Sequence, residues 1–85
     1  MAKGAVYIDI DDELFDVFSI KSIRRFEEFD IDKECMMYGI IVNEEVHTDS
    51  PFRDVKFHYY HLEVRDEKLK AIKMKLANFE YIMII

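Results

Sequence analysis

The run Tyr81-Ile-Met-Ile-Ile85 constrains this chain more than any other stretch, because it follows directly on a lysine-rich amphipathic segment. Left in water, five such residues form an aggregation-prone patch; laid into a sheet as a strand, they are satisfied. The segment before them, Arg65–Asn78, carries Leu69, Ile72 and Leu76, with Phe79 just beyond, at the i, i+3, i+7, i+10 spacing of one helical face. Lys68, Lys70, Lys73 and Lys75 flank that stripe, as lysines with buried stems and wet heads do around a docked helix. Asp66 and Glu67 suit the positive end of its dipole. A helix followed by a buried strand is therefore expected at the end of the sequence.

The length of 85 residues leaves room for one domain, taken here as 1–85. With 51% hydrophobic residues, and only Gly4, Gly39 and Pro51 as chain breakers, the composition is that of a folded domain. A single cysteine, Cys35, excludes an internal disulfide and a cysteine zinc cluster. No apolar run approaches the roughly 18 residues of a membrane span, and Met-Ala-Lys-Gly-Ala lacks a signal-peptide core. A cytoplasmic protein without membrane contact is the expectation. The frequent Ile, Lys, Phe, Tyr, Met, Asp and Glu, with no Trp, fit an AT-rich genome such as that of a phage or mobile element.

The net charge of −6 is unevenly placed. Residues 1–50 carry 13 acids against 5 bases, and residues 51–85 carry 5 acids against 7 bases. That balance disfavours binding to a phosphate backbone, which needs clustered Lys and Arg, and suits a protein partner with a basic surface.

Ala5–Ile10 alternates Val6, Ile8 and Ile10 with Tyr7 and Asp9, the pattern of a strand with one buried face. Residues 11–29 are read as a helix opened by Asp11, Asp12 and Glu13, with Leu14, Phe15, Phe18, Phe26 and Phe29 on one face. Ile20 and Ile23 then fall on the wet side among Asp12, Asp16 and Glu27. The alternative for this stretch is two strands with a bend at Lys21-Ser22. Asp30–Glu34 is a polar connector, and Cys35–Val42 a buried strand in which Gly39 marks a bulge or a close approach. Asn43–Asp54 is a loop. The aromatic and β-branched density of Val55–Val64 favours a strand over the helix that Ser50-Pro51 would start. The order is then βαββαβ, an α+β, ferredoxin-like fold with a four-stranded antiparallel sheet and two helices on one face. The alternative is a five-stranded antiparallel sheet with one or two C-terminal helices.

Few residues offer chemistry. Asp9 and Asp11, at a strand end, could hold a divalent cation in the manner of metal-dependent nucleases, though two carboxylates are a common coincidence. Asp30–Glu34 opens like a calcium loop, but its sixth and twelfth positions are Cys35 and Ile41 rather than Gly and Glu. His58 and His61 lack a third ligand nearby, and Cys35 lies in an apolar run where a thiol is usually inert packing. No cofactor is expected. Tyr59 and Tyr60 suit a protein interface as well as a sheet surface. The functional expectation is a small acidic, non-enzymatic interaction module, an inhibitor or regulator that covers a basic nucleic-acid-binding surface of a partner. Asp12, Asp16, Glu27, Glu28, Ile20, Ile23, Tyr59 and Tyr60 are the expected contact residues. A metal-dependent enzyme using Asp9 and Asp11, and a homodimeric regulatory domain, are the alternatives.

Overall fold

A computed structural model describes residues 6–45, 52–79 and 82–84. The chain opens with a hairpin of β1 (Tyr7–Ile10) and β2 (Glu13–Asp16). Asp11 and Asp12 form its two-residue turn with φ of 48° and 67°. Both are left-handed, as the hairpin turns whose twist matches the strands require, and Asp tolerates that region better than most residues. The acidic run expected to start a helix therefore turns a hairpin instead.

A short 3-10 turn, Val17–Ser19, leads into β3 (Ile20–Asp30). The four-residue turn Ile31–Glu34 returns the chain as β4 (Cys35–Glu45), antiparallel to β3. Asp30 Oδ1 accepts the backbone N–H of Lys33 at 3.1 Å within that turn, and Glu34 is left-handed at φ 51°. Then come β5 (Phe52–Tyr59), antiparallel to β4, and α1 (Leu62–Lys75). Met83–Ile84, β6, pairs with Ser22 and Ile23 of β3 in parallel. The main sheet has the order β5-β4-β3-β6.

The fold differs from the expected βαββαβ. Residues 11–29 hold the second hairpin strand and most of β3, so among the described residues there is one α-helix and not two. A bulge at Lys21 explains why the sequence misled. The pairing steps from Ile20↔Glu44 to Ser22↔Asn43, so β3 spends one extra residue against β4. Ile20 and Ile23, three apart, thereby both point to the core, where each is fully buried. On the expected helix these two residues fell on the wet side; the bulge turns both inward. The five-stranded alternative fails too, since the first hairpin is a separate two-stranded sheet and β6 runs parallel. Ser50-Pro51 and residues 81 and 85 of the expected final strand lie outside the described residues.

The core is one cluster on one face of the main sheet. Ile20, Ile23, Ile40 and Val42 rise from the sheet to meet Leu69 and Ile72 of α1, Leu76 at its C-cap, Ile8, Ile10 and Phe15 of the hairpin, and Val17 of the 3-10 turn. Ile82 joins them just before β6. The apolar stripe of α1 is the expected one, although the helix begins at Leu62, three residues earlier than its sequence suggested.

On the opposite face, Gly39 pairs with Phe26 on one side and His58 on the other. A Cβ at Gly39 would overlap the Phe26 ring, so glycine here provides the close approach. The Phe26 and His58 rings meet edge-on above it at 5.3 Å.

Candidate protein interface

The length mismatch between sheet and helix leaves a group of exposed apolar residues at one end of the described fold. An eleven-residue strand spans about 36 Å and a fourteen-residue helix about 21 Å. The far end of the β3–β4 hairpin therefore outreaches its cover. Phe29 and Met36 face each other across the strands there, 58% and 42% exposed, and Ile31 in the turn is 80% exposed. Asp30, Asp32 and Glu34 alternate with these residues, and Glu28 stands one residue before Phe29. The tip is thus apolar at its centre and acidic around it.

Two contacts brace the tip. Lys33 Nζ donates to the Tyr60 hydroxyl at 2.8 Å and lies 5.0 Å from the ring centroid of the same tyrosine. The hydrogen bond to Tyr60 holds the Lys33 ammonium above its ordinary pKa. Deeper in, Arg65 of α1 is 1% exposed and ties helix to hairpin. Its Nη1 donates to the carbonyls of Phe26 and Gly39 at 3.2 and 3.3 Å, its Nη2 to Glu27 at 3.2 Å and its Nε to Asp66 at 2.7 Å. Burial works against the Arg65 charge, but the bonds to Asp66 and Glu27 outweigh it and raise its pKa.

The expected contact residues do not form one surface. Ile20 and Ile23 are core and are removed from any interface. Asp12 sits in the hairpin turn, and Asp16 caps the 3-10 turn by accepting Phe18 N–H at 3.0 Å. Glu27 pairs with Arg65 on the helix side of the sheet, while Glu28 meets His58 Nε2 at 2.8 Å on the open side. Tyr59 is half-buried and donates its hydroxyl to Asp11, whereas Tyr60 is exposed beside the tip.

The Asp11 carboxylate and the Asp9 backbone carbonyl each meet a lysine of α1. Lys68 Nζ stands 3.0 Å from Asp11 Oδ1, and Lys75 Nζ donates to the Asp9 carbonyl at 3.2 Å. Burial opposes ionisation of Asp11, yet Tyr59 and Lys68 together hold its carboxyl below the usual range. Burial and the Asp11 carboxylate push the Tyr59 hydroxyl well above its ordinary pKa. The pocket between these groups and α1 measures about 120 Å³, against roughly 300–1,000 Å³ for small-molecule sites. Among the described residues, no three His, Cys, Asp or Glu side chains gather as a metal site. His58 lies on β5 and His61 precedes α1, while His47 lies outside the described residues. No described helix is long and apolar enough to cross a membrane.

The tip residues Phe29, Ile31 and Met36 were not among the expected contacts, and neither was Arg65. One signal pointed to the tip: Ile31 is an apolar residue inside an otherwise charged turn between two strands. Arg65 also fits the α1 stripe, four residues before Leu69.

The chain matches no protein-family model, no curated protein and no solved structure.

Proposed function

We propose that this domain is a protein-binding module without chemistry of its own, which docks the β3–β4 tip on a basic surface of a partner protein. The observation that carries the reading is the exposed cross-strand pair Phe29–Met36, with Ile31 beside it, set among Asp30, Asp32 and Glu34. Apolar side chains this exposed cost solubility and do nothing for the core, so a partner that covers them is the economical explanation. The acids around them steer a basic partner and exclude acidic ones. A basic surface with apolar patches is what nucleic-acid-binding proteins present, and a tip that covers it competes with phosphate. The domain acts as an inhibitor or regulator of such a protein.

Competition tests the reading. A protein captured by the immobilised domain is expected to bind nucleic acid, and added nucleic acid or raised salt is expected to release it. The Asp32→Lys/Glu34→Lys variant is expected to lose that capture. Capture that is indifferent to nucleic acid, to salt and to this variant would contradict it. A metal-dependent reaction at Asp9 and Asp11 is the weaker reading, because Lys68 already supplies the cation that Asp11 faces.

A further inference from the structure

Among the described residues, β5 has one strand neighbour, β4. Its pairing with β4 runs from Phe52 to Tyr59 without a register shift, so its outer side is a straight edge. Such an edge is a template for another strand unless bulges, prolines or charges block it. Along it Arg53, Val55 and Phe57 point to the helix side, and Asp54 and Lys56 to the open side. The two charges are opposite and two residues apart, so they block most pairings and favour one.

We propose that β5 pairs with β5 of a second copy of this chain, antiparallel, about a two-fold axis at Val55. The axis stands normal to the sheet, because that arrangement keeps the helix sides of both copies together. Residues directly opposite must then be an even number apart. With the axis at Asp54, two carboxylates face each other; with the axis at Lys56, two ammonium groups do. With the axis at Phe57, Lys56 meets His58 and Asp54 meets Tyr60, so neither charge finds its complement. With the axis at Val55, Asp54 faces Lys56 of the second copy, Lys56 faces its Asp54, and the two valines meet. Arg53 then lies opposite Phe57 on the helix side.

The contacts within one copy permit this. Asp54 Oδ1 accepts from Asn43 Nδ2 at 2.8 Å, which leaves its second oxygen for the incoming lysine. Lys56 Nζ lies over the Phe26 ring at 5.6 Å and is exposed. The result is one continuous sheet of two halves, with helices and first hairpins on the same side. The pairing is antiparallel, so the two β3–β4 tips point in opposite directions. The proposal stands independently of what the tips bind.

Sedimentation equilibrium across the micromolar range tests it, with melting curves to confirm that each variant folds. The wild type is expected to dimerise. Asp54→Lys sets lysine against lysine and Lys56→Asp sets acid against acid, so each variant alone is expected to weaken the dimer about 10-fold or more. The double variant Asp54→Lys/Lys56→Asp is expected to recover it. Mixing the two single variants is expected to give a heterodimer, since every opposed pair is then complementary. A monomeric wild type, single variants that associate as tightly as wild type, or a double variant and mixture that both stay monomeric would each overturn the proposal.

Discussion

At the scale of single residues, polar groups in and beside the core govern how this domain responds to its conditions. Arg65 spends its guanidinium on two backbone carbonyls and two carboxylates, beneath the Tyr38 ring at 5.8 Å. Arg65→Ala removes all of these bonds and leaves a void at the helix–sheet junction. A loss of about 2–4 kcal/mol is expected in denaturant unfolding, and Arg65→Lys is expected to recover only part of it, because an ammonium lacks the planar fork. Tyr59, through its burial and its bond to Asp11, and Asp11, through Tyr59 and Lys68, contribute to the pH dependence at opposite ends of the range. Above the ordinary tyrosine pKa of 10.0, the unfolded chain releases a proton that folded Tyr59 keeps, so stability falls as pH rises further. Below the ordinary aspartate pKa of 3.8, the unfolded chain takes up a proton that folded Asp11 resists, so stability falls there as well. Tyr59→Phe is expected to flatten the alkaline loss and to cost about 0.5–1.5 kcal/mol at neutral pH, both readable from melting curves across pH.

At the scale of elements, the sequence was most legible where periodicity was clean. The α1 stripe and the Cys35–Val42 strand follow from spacing and residue type, and of the bulge or close approach expected at Gly39 it is the close approach that the Phe26 ring makes. The stretch 11–29 did not, for a physical reason: a two-residue turn, a 3-10 turn and a bulge at Lys21 each add or remove a residue, and none leaves a mark in hydrophobicity. Leu14, Val17, Ile20, Ile23, Phe26 and Phe29 recur every three residues, yet Leu14 and Phe29 are exposed while Val17, Ile20 and Ile23 are buried. Ile20→Glu or Ile23→Glu places a carboxylate in the centre of the core. Each is expected to abolish cooperative unfolding, seen as the loss of a melting transition, rather than to leave a folded protein. A normal transition in either variant would mean that β3 is not bulged as described.

At the scale of the whole molecule, the design is a sheet with one covered face and a hairpin longer than its cover. The core face takes α1 and the first hairpin; the other face and the tip meet solvent. In sequence the tip showed only as Ile31 within the polar connector Asp30–Glu34, because exposure depends on how far α1 reaches. Phe29 and Ile31 do little for stability in this architecture, so replacing them separates binding from folding. The decisive measurement is therefore capture by the Phe29→Ser/Ile31→Ser protein, run beside wild type with a melting curve for each. If the tip docks the partner, the variant melts within about 0.5 kcal/mol of wild type and captures nothing that wild type captures. A variant that melts normally and still holds the partner would place the interface elsewhere, and the central claim would be wrong.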